Sequence, residues 1–447
     1  MSQVAPLPEE RLPVIAAGAR TPFLESAGAY ADLMSYELGA RALEGLLGRT
    51  GLPADAAEMV IMGTVVHEIE TTNVAREAML AAGMPSRTPA YTVAMAGISP
   101  NVGVMNLCDQ IALGRLELGI AGGTENFSDV PVRLSQKIRR SLMKLRQRRD
   151  TKERLKVLAS LRPSDLKLDI PEGIDYTTGM TMGVACERMV QGHGASREAS
   201  DAFAADSHAR AIAARTQLAE QITPVLNKAG ERVEDDDGPR ADATSERLAK
   251  LKPVFAKKGG IITPGNASRF TDGAGALVIA SREAAAKRGL KPLAVVRDYL
   301  LGGVDSLEDE MLFGPAMTIP QLLGRNGLGF SDIGVWELHE AFASQVLINR
   351  DCMADPDFVH ARHGEGLPSG EIPLDTLNAW GGSLSLGNPF AATGVRLLMT
   401  AGQRMAAEGA RYAVVSTCAG GGLGAACLLY TSPSPRDRTR SRMPSSA

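Results

Sequence analysis

Aromatic residues are scarce in this chain, at 4% of 447 positions with only two tryptophans. A base-stacking surface needs a row of such rings, and a formal net charge of -3 offers no basic excess to draw a polyanion. Nucleic acid is therefore excluded as a partner. Cysteine is sparse too. The five cysteines include no CxxC pair, so neither a disulfide framework nor a zinc site is expected, and a reducing compartment fits best. No run of eighteen apolar residues occurs, which argues against a membrane span. The opening MSQVAPLPEERLP carries acids and prolines where a secretory signal has a basic start and an apolar core. A cytoplasmic location is the expectation.

What is present is a chain with 44% hydrophobic residues, enough for a large core spread over two or three domains. LPVIAAGAR (12–20) reads as a buried strand, and MVIMGTVV (59–66) as another. Between and after them, 35–51 and 73–85 carry apolar residues at helical spacing and stop at glycine or proline. Strand and helix in alternation predict an α/β fold with a parallel sheet covered on both faces. A helix over 101–115 leads into the strand LELGIAGG, and a helix over 391–408 leads into RYAVVSTCAGGG. The two passages share one plan: small-residue loop, helix, strand, glycine turn. The chain reads as internally duplicated.

An insertion of different character, 134–258, lies between the halves. Its stretch 132–167 holds thirteen Lys or Arg against three Asp or Glu. Leu134, Ile138, Leu142, Leu145, Leu155 and Leu158 fall at helical spacing, which predicts a pair of basic amphipathic helices. Such a pair serves as a solvated flap, or as a surface for anionic lipid or a partner subunit. At the other end, CLLYTSPSPRDRTRSRMPSSA (427–447) breaks abruptly from its Gly/Ala-rich surroundings and resembles read-through of a sequencing-library transposase end. Loss of the native frame near Ala426 is the expectation there.

Six motifs carry a family resemblance: RTP at 20–22, AGGTE at 121–125, GNAS with TDGAGA at 265–276, HEAF at 339–342, GGSLSLGNPFAATG at 381–394 and CAGGG at 418–422. Their order and separation resemble those of the thiolases over about residues 12–426. HEAF and the basic insertion are most similar to the 3-ketoacyl-CoA thiolase subunit of fatty-acid-oxidation complexes. The resemblance implies two duplicated α/β halves packed in layers, the first from 12–133 with 259–292 and the second from 293–426. It also implies a loop domain at 134–258, a homodimer, a coenzyme A thioester as ligand, and no separate cofactor. A hydratase-dehydrogenase subunit is an implied partner.

Thiolysis splits a 3-ketoacyl thioester by attack of a cysteine thiolate, leaving an acyl-enzyme that coenzyme A discharges. The family places that cysteine at a helix start, a histidine base in a GHP loop, a second cysteine in a CxG loop, and the first residue of HEAF beside the substrate oxygen. Here the nucleophile position falls on Gly97, in TVAMAGISPN, and the GHP loop reads Gly387-Asn388-Pro389. An asparagine donates a hydrogen bond but is no base at neutral pH. Cys418, His339 and Glu340 remain, as does Gly420, whose amide the family uses in an oxyanion pocket, and Ser268 matches a serine that contacts the pantetheine arm. Ser99 and Cys108 are too far round or along the helix to replace the nucleophile. Cys418 is the better substitute if His339 touches it and lowers its pKa. Cys186 and Cys352 read as buried thiols. The resulting expectation is an acyl-CoA-binding protein impaired in thiolysis. The alternatives are a retro-aldol or decarboxylating lyase without a covalent intermediate, and a scaffold subunit of a β-oxidation assembly.

Overall fold

The computed structural model describes residues 7–169 and 173–431. In the first half, β1 (Pro13–Arg20), β2 (Val60–Gly63), β3 (Ala90–Val93) and β4 (Leu118–Glu125) alternate with α1 (Ser35–Thr50), α2 (Val74–Ala81) and α3 (Ser99–Ala112). After the insertion, β5 (Thr271–Ser281) completes that half. The second half comprises β6 (Ala294–Gly303), β7 (Val335–Leu338), β8 (Tyr412–Ala419) and β9 (Leu423–Tyr430).

The duplication is explicit in the pairing. β2 runs parallel to β4, β4 antiparallel to β5, and β5 antiparallel to β1; in the second half β7 runs parallel to β8, β8 antiparallel to β9, and β9 antiparallel to β6. A short ladder, Val14 opposite Val295 and Ile15 opposite Ala294, joins the halves. The sheet is thus mixed, not the parallel sheet that alternation alone predicts. The reason lies in the connections: β8 and β9 are joined by the tight Gly420–Gly422 turn, which only an antiparallel pair permits.

Two equivalent helices pack together against sheet residues of both halves: α3 and its counterpart Thr393–Glu408, called α10 below. Val104, Leu107, Cys108 and Ile111 of the first share a buried cluster with Val395, Leu397, Leu398 and Met399 of the second. Their first turns touch. A side chain at Gly394 would meet Asn101 Oδ1 at 2.2 Å, so glycine is what lets the two helix starts lie together.

The expected helix pair of the insertion is present as α4 (Gln136–Gln147) and α5 (Thr151–Ala159). Ile138 is buried, whereas Leu142, Met143, Leu155 and Leu158 are exposed. The loop domain continues through α6 (Met182–His193) and α7 (Arg197–Ala213), and the second half adds α8 (Gly314–Arg325) and α9 (Ala343–Ala354) before α10.

One boundary needs correction. β9 runs on past Ala426 to Tyr430, with Cys427, Leu428 and Leu429 buried and Tyr430 paired to both Tyr412 and Val295. The apolar run Cys-Leu-Leu-Tyr satisfies a central strand whatever its origin, and the second half includes it as far as Tyr430. The remainder of the tail, 432–447, lies outside the described residues.

Candidate functional site

The paired starts of α3 and α10 define the centre. Gly97 stands two residues before α3, in a loop whose Ser99 hydroxyl accepts from Met95 N at 2.8 Å and donates to Ala96 O at 2.6 Å. That hydroxyl is committed to its own loop, so Ser99 is not available as a nucleophile. Strain in the loop falls on Ala96, at φ 45°, and not on Gly97. A Cβ built on Gly97 meets nothing nearer than the Cys418 carbonyl oxygen at 4.0 Å. The position beside the helix start is open space.

Asn388 precedes α10. Its backbone pairs with the Arg269–Phe270 segment, and its side-chain amide nitrogen lies 3.4 Å from His339 Nε2 and 3.5 Å from Ser268 Oγ. Its other amide end is 2.8 Å from Thr393 Oγ1. His339 follows β7, and its Nδ1 is 2.9 Å from Ser383 Oγ. Burial, aided by the nearby Arg396 guanidinium, pushes the imidazole down to about 3, so His339 is neutral at physiological pH. The structure therefore brings Asn388, His339 and Ser268 together.

Cys418 stands apart from them. It is buried near the end of β8, its carbonyl faces Gly97, and burial pushes its thiol up to about 12. No hydrogen bond joins it to His339, whose ring nitrogens are turned to Ser383 and Asn388. The expected lowering of its pKa by His339 does not arise. Gly420 opens the β8–β9 turn, where an added Cβ would meet Met182 Sδ at 3.6 Å.

Glu340 is also placed differently from the expectation. Its carboxylate accepts from Asn378 Nδ2 at 2.6 Å, Ser207 Oγ at 2.9 Å and Leu384 N at 3.1 Å. All three partners are structural, and the group lies directly beneath Gly382, so it braces the GGSLSL loop. Cys186 and Cys352 are buried as expected, each with its thiol raised to about 12.

Three contributors escaped the sequence reading. Ser383 and Arg396 stand behind His339, with Arg396 donating to Ser383 Oγ at 2.9 Å. Glu125, the acid of AGGTE, accepts from Val66 N at 2.8 Å, Val65 N at 3.1 Å and Ala391 N at 3.4 Å. It pins the segment just beyond Asn388 to the end of β2, and burial raises its carboxyl to about 8. The lone Arg396 in the apolar run VRLL was a signal available in the sequence, since a charge inside such a run needs a buried partner, here Glu337 of VWEL, whose carboxylate lies 3.6 Å from Arg396 Nη1. The RTP motif proves structural: Arg20 holds Asp236 through two 2.7 Å bonds and ties the insertion to the first half.

Among the described residues no three His, Cys, Asp or Glu side chains are grouped to hold a metal, and no helix is long and apolar enough to cross a membrane.

Comparison with known proteins agrees with this architecture. Residues 13–283 match the thiolase N-terminal domain, and 290–431 match the thiolase C-terminal domain. The chain is 40% identical over 427 residues to the bovine (Bos taurus) mitochondrial trifunctional enzyme subunit beta, covering 95% of this chain and 90% of that one. It is 39% identical to a probable 3-ketoacyl-CoA thiolase of Caenorhabditis elegans, with 93% of each chain covered. Among solved structures, the Bacillus anthracis acetyl-CoA acetyltransferase superposes with a TM-score of 0.79 at 30% identity, over 94% of this chain and 98% of that one. The human mitochondrial 3-ketoacyl-CoA thiolase in complex with CoA gives the same TM-score at 28% identity, over 95% and 99%.

Proposed function

This chain belongs to the thiolase family, and from that membership we propose that it binds acyl-CoA or 3-ketoacyl-CoA thioesters in fatty-acid β-oxidation without forming an acyl-enzyme. The observation that carries the reading is Gly97. The residue at the start of α3 has no side chain, and the space a thiol would fill is open. Asn388 supports it from the other side, because its amide can donate to a thioester oxygen but cannot take a proton from a nucleophile. Cys418 is a poor replacement: at a pKa of about 12 its thiolate is rare near neutrality.

Two measurements test the reading together. Acetyl-CoA is expected to bind in calorimetry, and intact mass after incubation with acetoacetyl-CoA is expected to be unchanged. A stable adduct mapped to Cys418 overturns the non-covalent reading.

The basic helix pair supplies the interaction surface. α4 and α5 expose Leu142, Met143, Leu155 and Leu158 amid Arg and Lys, which suits an anionic membrane face or an acidic partner subunit. Each cation near an anionic surface contributes about 1 kcal/mol, screened over roughly 8 Å at physiological salt. Reversing Arg139, Arg140, Arg148 and Arg149 to Glu is expected to abolish binding to phosphatidylserine vesicles while acetyl-CoA binding holds. Equal vesicle binding by parent and variant returns the helices to a solvated flap.

A further inference from the structure

Gly97 is a glycine that the fold itself does not require. Other glycines around the site are pressed upon: a Cβ at Gly394 would overlap the Asn101 side chain, one at Gly382 the Glu340 carboxylate, and one at Gly387, whose φ is 94°, the Thr271 side chain. Gly97 has no left-handed φ, and beyond its chain neighbours a Cβ there meets a single described atom within 4 Å, the Cys418 carbonyl oxygen at 4.0 Å. Neither backbone nor packing asks for the missing side chain.

The loop has not closed over this opening. Ser99 Oγ accepts from Met95 N at 2.8 Å and donates to Ala96 O at 2.6 Å, and Ala96 keeps its unfavourable φ of 45°. Backbone strain retained beside an open position points to a loop shaped for an occupant. The surroundings say what kind. Ile98 and Ala419, next in sequence to Gly97 and Cys418, belong to one apolar cluster with Met105 and Ala425, flanked by Met95 and Ala96. A buried water needs about two to four polar partners, and the only polar atom facing position 97 is that one carbonyl oxygen. A carboxylate set there would press against the same oxygen. A small apolar group fits.

The chemistry of thiolysis fixes where on the ligand such a group belongs. A nucleophile at position 97 has to stand about 3–3.5 Å from the keto carbon, which is C3 of the acyl chain. Residue 97 therefore faces C3. A thiol at that distance leaves no room for a substituent on C3 directed toward it, whereas a glycine does, and a methyl group is close to a thiol in size. A saturated, branched C3 carries no keto group and offers a thiolate nothing to attack. For such a ligand neither a nucleophile nor its base is of use, which accounts for Gly97 and Asn388 together.

We infer that the opening at Gly97 is a subsite for a branch at C3, and that the thioesters this protein selects are 3-methyl-branched acyl-CoAs. The inference rests on the acyl-CoA reading above and names the ligand class within it.

Calorimetry with two isomers isolates the branch, because 3-methylbutanoyl-CoA and straight-chain pentanoyl-CoA have one composition and differ only in where a single carbon sits. Burying one methyl-sized group is worth about fourfold in affinity, so the parent is expected to bind the branched isomer about fourfold more tightly. Gly97→Ala places a carbon in the subsite and is expected to remove that preference, and Gly97→Val, which overfills it, to reverse it. Equal affinities in the parent, or a preference that Gly97→Ala leaves unchanged, overturn the subsite while the acyl-CoA reading stands. A parent that binds neither isomer, nor acetyl-CoA, defeats the acyl-CoA reading and the subsite with it. If the Gly97 variants do not fold, the parent's preference decides alone.

Discussion

Gly97→Cys combined with Asn388→His is expected to produce measurable thiolysis of acetoacetyl-CoA, where either single substitution yields little. The new thiol at position 97 stands just ahead of α3, where free amides and the helix dipole favour the thiolate. Without a base, that activation is all it has. A histidine at 388 alone has nothing to activate. Positioned proton transfer contributes about 10²–10⁴-fold, and groups acting as a unit are strongly non-additive, so the double variant is expected to exceed either single by at least about a hundredfold. The chemistry asks a thiolate to attack the keto carbon, release acetyl-CoA once the departing α-carbon is protonated, and pass its acyl group to a second coenzyme A. Cys418 places its carbonyl, 4.0 Å from a Cβ at position 97, beside that loop, and burial keeps its thiol protonated near neutrality. Sterics do not stand in the way. Gly97 has no left-handed φ, and its Cβ direction is open to 4.0 Å, so melting temperatures of the Gly97 variants are expected to match the parent. Initial rates for parent, singles and double check this. A folded double variant that binds acetyl-CoA and turns nothing over shows that the pocket differs by more than these two side chains.

The parts of this molecule legible in the sequence are those with a periodic or local signal. The strand at 12–20 and the helix at 35–51 appear within about a residue of their expected bounds because burial, glycine stops and helical spacing are written locally. The duplication was legible for the same reason, since loop, helix, strand and turn recur in order. The direction of β5 was not, because its partner β4 is separated from it by the whole insertion and no local pattern encodes which way a returning strand runs. At the site, motif order located Gly97, His339 and Asn388, but not which side chains face one another. Glu340 shows the limit. It adjoins His339 in sequence, yet in the segment after β7 its carboxylate meets Ser207 and Asn378 while the His339 ring meets Ser383 and Asn388. Ser383 and Arg396 act across 44 and 13 residues respectively, and no spacing rule announces such pairs.

The largest loss of stability is expected from Glu337→Gln, a change that keeps the shape of the side chain and removes only its charge. Glu337 is fully buried in β7 between two buried guanidiniums: Arg404 Nη1 at 2.8 Å and Arg396 Nη1 at 3.6 Å. Arg404 has other support, from the Trp336 and Thr376 carbonyls and the Glu408 carboxylate. Arg396 has far less, a single hydrogen bond to Ser383, with its Nε and Nη1 unbonded. Neutralising Glu337 therefore strands Arg396 as a buried cation, and removing one partner of such a pair typically costs about 3–5 kcal/mol. Because the cost is that of the uncompensated charge and not of a lost contact, removing the charge as well is expected to return part of it. Glu337→Gln with Arg396→Met should be more stable than Glu337→Gln alone, the reverse of what independent substitutions give. Urea midpoints for parent, both singles and the double measure the coupling. A Glu337→Gln cost below about 1 kcal/mol would mean that Glu337 is already protonated in the folded protein. In that case Arg396 is held chiefly by Ser383, and its cation bears on the His339 ring with no carboxylate to offset it.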